Sequence, residues 1–415
     1  MTQFSPIWKV TIAGVDYTDY VMANLTITTG RLNIYEQAQA GYCNLKIYNV
    51  TQSAVNIFIN DSVSIQLKDS TDTFVPIFGG SVVDLGVTVD QAGSVAVQQS
   101  ITITALGALS RLPKALTNGV LAKDFDGNQI YDILKEILNN NWGDVPAALT
   151  WASYDPTVQW ATAENSGLGE IDRPGNYELA NRGSSRIDVY SLVAALATSG
   201  LGYLYEDAQG LISYADSTHR TTYLNANGYV ELSANEAIAS GLSIQTRAGD
   251  VRNDITLQYG NASLNEVSAT APASISEFGT LSQIITTTVF DATDAQDQAD
   301  FYLTLRSQPQ ANLQAIRYEL TNPELSDGDR DSLIGIFMGM PVLFSDLPLN
   351  MTSGTFLGFV EGWTFSAGYN TVAVEATLSP ISYSLQAMKW SDVSITEAWN
   401  TITGTLDWQS ATVVA

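Results

Sequence analysis

Residue types that carry out chemistry are scarce in this sequence, which has one histidine and one cysteine. The histidine, His219, stands in the polar run Asp216–Arg220, and no Gly-x-Ser-x-Gly motif supplies a nucleophile. We therefore predict that His219 is a surface or loop residue. Cys43 lies in Gly41–Tyr48, where apolar residues alternate, so a buried thiol in a strand is predicted. Neither a Cys–His catalytic pair nor a zinc site is indicated.

Carboxylates are the other candidates for catalysis, because two positioned acids suffice for glycoside hydrolysis. The chain has 43 acidic residues, so close pairs arise by chance and indicate little. Two acidic runs, Asp124–Asn128 and Asp327–Asp331, resemble calcium loops only faintly, since neither fits the full loop with its terminal glutamate. We interpret the first as a helix start and the second as a surface turn. Glycine-rich phosphate loops are absent. The sequence predicts no catalytic, cofactor-binding or metal-binding residues, and a protein that is not an enzyme.

Length and charge narrow the remaining classes of function. A chain of 415 residues favours roughly two to four domains. The hydrophobic fraction of 45% and the aromatic fraction of 10% are typical of folded domains. A net charge of −25 argues against binding to nucleic acid or anionic lipid, because like charges repel. No signal peptide and no membrane-spanning stretch are predicted, so we expect synthesis in the cytosol.

The elements that would position these residues are mostly strands. Alternating and β-branched residues predict a β-module over residues 1–112, with the spacing of a small barrel or sandwich. Helical spacing after Asp126 and over Val189–Thr198 then predicts an α+β insert over residues 113–222.

A second β-module is predicted over residues 223–385, with a helix at about 291–306. The remaining residues, 386–415, contain tryptophans at regular intervals. Repeats this short do not bury themselves, so an extension that lies on a neighbouring surface is predicted. The tryptophans in question are Trp390, Trp399 and Trp408.

A short motif, Phe-x-Gly-x-Val, occurs once in each β-module. It spans Phe78–Val82 and Phe356–Val360, and we call these two segments the anchor motifs. Each follows a valine-containing strand and precedes an alternating one, which indicates two related β-barrel modules. We expect Gly80 and Gly358 to lie where a strand bends or approaches another backbone closely.

Taken together, these features resemble the phage tail hub family, which includes tail-tip proteins of siphophages and baseplate hubs of contractile tails. The terminal tryptophan repeat is similar to that of minor tail proteins from phages of actinobacteria. The segments that carry the resemblance follow the chain in order; they are Trp8–Tyr20, Thr29–Arg31, Phe78–Val82, Tyr190–Tyr214 and Gly339–Pro348.

This resemblance implies a structural virion protein at the tail tip. Hub proteins carry two tube-like barrels, so a homotrimeric ring presents six barrel units and joins a sixfold tail tube to a threefold tip. The implied partners are the tail tube, distal tail, tape-measure and tip or fibre proteins. DNA would pass through the channel during ejection without specific binding, and the acidic composition fits this.

Other interpretations of the sequence stay open. A distal tail protein has one tube-like barrel, and the duplicated motif argues against it. A carbohydrate-binding or glycan-cleaving β-protein is suggested by the many aromatic residues, which stack on sugars. A surface adhesin is a third alternative, which the lack of a predicted signal peptide disfavours.

Overall fold

The structure, a computed structural model, describes residues 4–18, 21–34, 36–49, 55–89, 99–141, 168–236, 244–246, 248–261, 265–309, 311–313, 316–349, 354–368 and 370–380. Strands predominate in these residues, and helices are fewer. A mostly β, multidomain protein is thereby confirmed. The predicted tryptophan-repeat extension over 386–415 lies outside the described residues and stays a prediction.

The strands are β1 (Trp8–Ile12), β2 (Val15–Asp16), β3 (Val21–Gly30), β4 (Gln39–Asn49), β5 (Ser62–Lys68), β6 (Phe74–Val89), β7 (Gln99–Leu106), β8 (Leu116–Thr117), β9 (Asp124–Phe125), β10 (Leu168–Ile171), β11 (Glu178–Leu179), β12 (Ile187–Asp188), β13 (Tyr203–Glu206), β14 (Ile212–Ala215), β15 (Val230–Ser233), β16 (Ile244–Thr246), β17 (Asp254–Tyr259), β18 (Asn265–Thr270), β19 (Ser282–Thr286), β20 (Ala311–Leu313), β21 (Ile316–Glu319), β22 (Pro341–Ser345), β23 (Phe356–Ala367) and β24 (Val372–Pro380). The helices are α1 (Asp126–Asn141), α2 (Val189–Ser199), α3 (His219–Asn227), α4 (Pro272–Phe278), α5 (Ala292–Arg306) and α6 (Asp327–Ile334).

Twelve of the described strands form one sheet. Its main path runs β15–β22–β23–β3–β4–β7–β6–β5–β1–β2, while β24 pairs with β23 and β21 pairs with β24. Strands from the two ends of the chain meet where β3 pairs antiparallel with β23, from Gly30 opposite Gly362 to Leu25 opposite Ala367. The two predicted β-barrel modules thus share one twelve-stranded sheet, because β3 of the first module pairs with β23 of the second, and no closed barrel is found among the described strands.

Strand pairing around the two anchor motifs is the same. Gly80 of β6 lies opposite a valine of β5, and Gly358 of β23 lies opposite a valine of β22. A Cβ atom would lie 2.5 Å from the carbonyl oxygen of Leu106 at the first position and 2.5 Å from that of Ser379 at the second. The predicted close backbone approach at both glycines is confirmed.

This agreement continues beyond the anchor motifs. The pairing of β6 with β7 and the pairing of β23 with β24 both shift register at the residue after the motif, which is Val83 in one and Glu361 in the other. Such a shift is a β-bulge. In the same way β4 pairs antiparallel with β7, and β21 pairs antiparallel with β24. The two modules differ in the strand that precedes this set: β1 pairs antiparallel with β5 in the first module, but β15 pairs parallel with β22 in the second.

The described side chains pack into two hydrophobic cores. The first lies against the large sheet and takes residues from both of its halves. The second gathers α1, α2 and β17 together with α5, whose Ala295 and Ala299 are fully buried. Apolar residues of β17 and α5 therefore pack with those of the insert.

Local capping explains where the helices begin. Asp188 caps α2 by accepting a hydrogen bond from the Ser191 amide at 2.8 Å, and Gly200 ends it. Asp291 caps α5 through the Thr293 amide at 2.7 Å. The helices predicted after Asp126, over Val189–Thr198 and at about 291–306 are confirmed.

Candidate functional site

His219 is buried at the start of α3, with 8% of its surface exposed, and the prediction of a surface or loop position is wrong. Its Nδ1 atom lies 2.7 Å from Oδ2 of Asp172, which also accepts a hydrogen bond from the Asp216 amide at 3.0 Å. Burial alone would lower the pKa of His219, but the hydrogen bond and charge of Asp172 outweigh it and raise the pKa. No local pattern indicates this pair, because Asp172 lies outside the polar run that contains His219.

Cys43 is a buried residue of β4, as predicted, with 1% of its surface exposed. Burial raises the pKa of its thiol strongly, so the reactive thiolate is disfavoured. Within the described ranges, no cluster of three or more His, Cys, Asp and Glu residues is arranged to hold a metal ion. Nor does any described helix have the length and apolar character needed to cross a membrane.

The acidic run Asp327–Asp331 begins helix α6 and is not the surface turn that was predicted. Ser326 caps this helix through the Asp329 amide at 3.1 Å. The carboxylate of Asp331 accepts hydrogen bonds from the amide of Ser70, at 2.9 Å, and from its hydroxyl. Because Ser70 lies in the β5–β6 turn, this run connects the two halves of the protein.

The other acidic run, Asp124–Asn128, marks the start of α1 as predicted, but its central carboxylate has an additional role. Asp126 is fully buried and accepts hydrogen bonds from the Tyr214 hydroxyl at 2.5 Å and the Tyr177 amide at 2.9 Å. Burial raises the pKa of Asp126 to about 6. This carboxylate holds the insert together around α1 and β14.

A buried group of charges lies where β3, α3 and β23 meet, and we call Arg31, Arg220 and Glu361 the junction cluster. Arg31 Nε donates to Oε2 of Glu361 at 2.6 Å. Arg220 binds both oxygens of the same carboxylate, at 2.8 and 3.0 Å. Ser379 adds a hydroxyl donor at 2.5 Å. One carboxylate thus joins the first module, the insert and the second module.

The charged form of the Glu361 carboxylate is favoured by the two arginines beside it. Burial by itself would raise the pKa of Glu361, but attraction to Arg220 and Arg31 outweighs burial and lowers the pKa to about 2. All three side chains of the junction cluster are buried. A carboxylate fully engaged by two guanidinium groups is a poor general base, so this arrangement is a structural joint.

Close backbone contact supports the junction cluster. The Arg31 amide donates to the Glu361 carbonyl at 2.9 Å. Gly30, just before it, has a φ of +93°, and a Cβ atom there would collide with the Glu361 carbonyl. Only glycine suits both the backbone conformation and the space.

Glu206 makes a second connection, between the insert and the first module. This buried carboxylate at the end of β13 accepts hydrogen bonds from the Gly41 amide at 2.6 Å and the Leu109 amide at 2.5 Å. Burial raises its pKa to about 7. A Cβ atom on Gly107 would collide with this carboxylate, which shows how closely the backbone surrounds it.

The turn between β13 and β14 packs onto the first anchor motif. A Cβ atom on Gly79 would collide with the Gln209 carbonyl, and one on Gly210, whose φ is +78°, would collide with the Gly79 carbonyl. The second anchor motif has Leu357 at the position equivalent to Gly79. The first motif is therefore adapted to dock the insert.

Two features of the sequence are consistent with the junction cluster. Glu361 is the one charged residue in the apolar strand Phe356–Trp363, and a lone charge in such a strand needs a partner. Arg31 lies in a segment that carried the family resemblance.

Trp8 and Trp363 are both buried in the core by the large sheet. Neither presents a ring for a sugar.

A scan against protein-family models and a search of curated proteins both found no match. Solved structures of tail proteins do match. The 43 kDa tail protein of prophage MuSo2 from Shewanella oneidensis is 13% identical, with a TM-score of 0.54, over 91% of this chain and 99% of that chain. A tail protein from Neisseria meningitidis is 10% identical, with a TM-score of 0.57, over 91% of this chain and 97% of that chain.

These matches extend over nearly the full length of both chains. The protein has the fold of phage tail proteins. The resemblance that the sequence indicated is confirmed at the level of the fold.

Proposed function

We propose that the protein is a structural component of a phage tail tip, a baseplate hub of which three copies form a ring. The ring joins a sixfold tail tube to a threefold tip and lines the channel through which DNA is ejected. The protein acts by assembly and is not an enzyme. It is made in the host cytoplasm and ends in the virion.

The observation that carries this proposal is the repeated strand pairing in one sheet. β5, β6, β7 and β4 pair with one another as β22, β23, β24 and β21 do, with glycine and bulge at corresponding positions. A chain with two copies of one module offers two similar interfaces. Three such chains present six modules, which is the number that a sixfold tube requires.

Several further features support a hub. The junction cluster connects the two modules and the insert, which favours a fixed arrangement of the three within a ring. The net charge of −25 suits a channel that DNA must slide through without binding. The proposed partners are the tail tube, distal tail, tape-measure and tip or fibre proteins, and the domain limits proposed from the sequence stay part of this proposal.

Mass photometry of the purified full chain over a range of concentrations tests the ring. We expect a species of three chains, and negative-stain images that show a ring with a central opening. A protein that remains monomeric at every concentration and binds cell-wall polysaccharide would overturn the proposal and favour the carbohydrate-binding alternative.

A further inference from the structure

The outer half of β6 has an unpaired edge among the described residues. β5 and the two residues before it cover β6 only as far as Val82, and beyond that point β6 pairs with β7 alone. The valines at the bulge and beyond it are exposed, by 37% at Val83 and by 51% at both Val87 and Val89. A strand edge with an apolar face of this kind is a place where another strand can pair.

The corresponding edge of the second module is occupied. There β3 pairs with the outer half of β23, so that Gly362 lies opposite Gly30. The residues of β23 that correspond to Leu85, Val87 and Val89 are buried; they are Trp363, Phe365 and Ala367. The second module therefore shows how the first would look with its edge covered.

The second module also has its own counterpart of β3, which is β16. Arg317 of β21 pairs with β24 at the position where Lys46 of β4 pairs with β7. Leu313 of β20 lies four residues before Arg317, just as Tyr42 lies four residues before Lys46. β20 and β21 together thus correspond to β4. Ile244 of β16 lies opposite Leu313 of β20, and in the same way Thr28 of β3 lies opposite Tyr42 of β4. In the described part of the chain, β16 pairs with β20 alone.

We propose that β16 of one copy pairs antiparallel with the outer half of β6 of the next copy. The register copies that of β3 on β23, with Asp84 opposite Thr246, Leu85 opposite Gln245 and Gly86 opposite Ile244 of the second copy. Each contact between chains then repeats the contact that joins the modules within a chain. This inference rests on the proposed ring and specifies the strands that close it.

The two contacts differ in chemistry at the bulge. Within the chain the bulge residue is Glu361, which holds two arginines, whereas at the contact between copies it is Val83. The contact between copies accordingly depends on backbone hydrogen bonds and on burial of the valines. It can form after each chain has folded, because it needs no buried ion pair.

A disulfide tests the register directly. The Thr28 and Thr364 hydroxyls lie 3.3 Å apart in the contact within the chain, so the corresponding pair, Gly86 and Ile244, should suit a disulfide. A side chain at Gly86 meets no atom within 4 Å. We expect G86C/I244C to form chains linked to one another under mild oxidation, seen as dimers and trimers on a non-reducing gel.

Three controls accompany this variant. T28C/T364C should link within one chain and leave its mass unchanged. T88C/I244C, which is displaced along the strand, should remain unlinked. Mixing the G86C and I244C single variants should give linked dimers, which requires that the two cysteines come from different copies.

The valine face is tested by association. V87E should raise the apparent dissociation constant by about tenfold or more, because it places a charge where a valine is buried. V15E, at an equally exposed valine at the other end of the sheet, should leave the dissociation constant unchanged. A chain that stays monomeric overturns both the ring and this inference. A ring that forms while G86C/I244C stays unlinked overturns this inference alone.

Discussion

The Glu361 carboxylate connects the first module, the insert and the second module. Glu361 is fully buried and binds Arg31, which follows β3, and Arg220 from α3. Buried ion pairs contribute little net stability when compared with apolar replacements, but breaking one leaves an unpaired buried charge. The stability of the protein should therefore be sensitive to replacement of Glu361.

Replacing Glu361 by glutamine tests this sensitivity. The change keeps the shape of the side chain but leaves two buried guanidinium groups without a counter-charge. We expect a loss of about 3 to 5 kcal/mol in the free energy of unfolding, measured by urea denaturation. Glu231→Gln, at an exposed position on β15 in the same sheet, should change it by less than about 0.5 kcal/mol. Equal effects of the two changes would contradict the role of the cluster.

Glu206 should make stability depend on pH in the opposite direction from an ordinary paired carboxylate. Burial raises its pKa from 4.5 to about 7, so the folded state holds this proton more tightly than the unfolded state does. Its contribution to stability is therefore full below pH 4.5 and is lost as the pH rises through about 7.

Urea denaturation at about pH 5 and about pH 8 checks this behaviour. We expect the wild-type free energy of unfolding to fall over this range by on the order of 3 kcal/mol more than that of Glu206→Gln. Asp126 has a raised pKa too, so the comparison between the two proteins isolates Glu206. Parallel pH curves for the two would show that Glu206 does not titrate in this range.

At the scale of elements, the anchor motifs are sites of close backbone contact between strands. Gly80→Val should place a branched side chain against the Leu106 carbonyl and destabilise the protein by about 3 kcal/mol or more, with loss of assembly. Gly86→Val lies on the same strand in open space and should be tolerated by the fold. Thermal denaturation of both variants provides the measurement. A normal melting temperature for Gly80→Val would disprove the close-contact interpretation.

Local patterns predicted many strands and three of the six described helices because alternation and capping act over short distances. The strand around Cys43 and the helix at about 291–306 are examples. Helix α6 escaped prediction because Asp327 and its neighbours have low helix propensity. It forms because Arg330, buried within it, donates to the Leu320 carbonyl at 2.8 Å and the Leu325 carbonyl at 2.9 Å. That support comes from tertiary structure, which a local pattern does not contain.

At the scale of the whole molecule, the repeated motif pointed to two modules, but it could not show that they share a sheet. The pairing of β3 with β23 joins residues from opposite ends of the chain. Likewise, the second core draws α5 and β17 toward the insert, which composition along the chain did not indicate. Pairing and packing over such distances depend on the complete fold, so the sequence predicted the parts better than their arrangement.

The unpaired outer half of β6 has one further consequence, which concerns the protein before assembly. An exposed strand edge with an apolar face is also a template for amyloid-like aggregation. Asp84 beside the bulge and the strong mutual repulsion of chains with a net charge of −25 oppose that outcome while each chain is alone. Closing a ring would remove the hazard, because a closed ring leaves no such edge to recruit another chain, and growth would stop there.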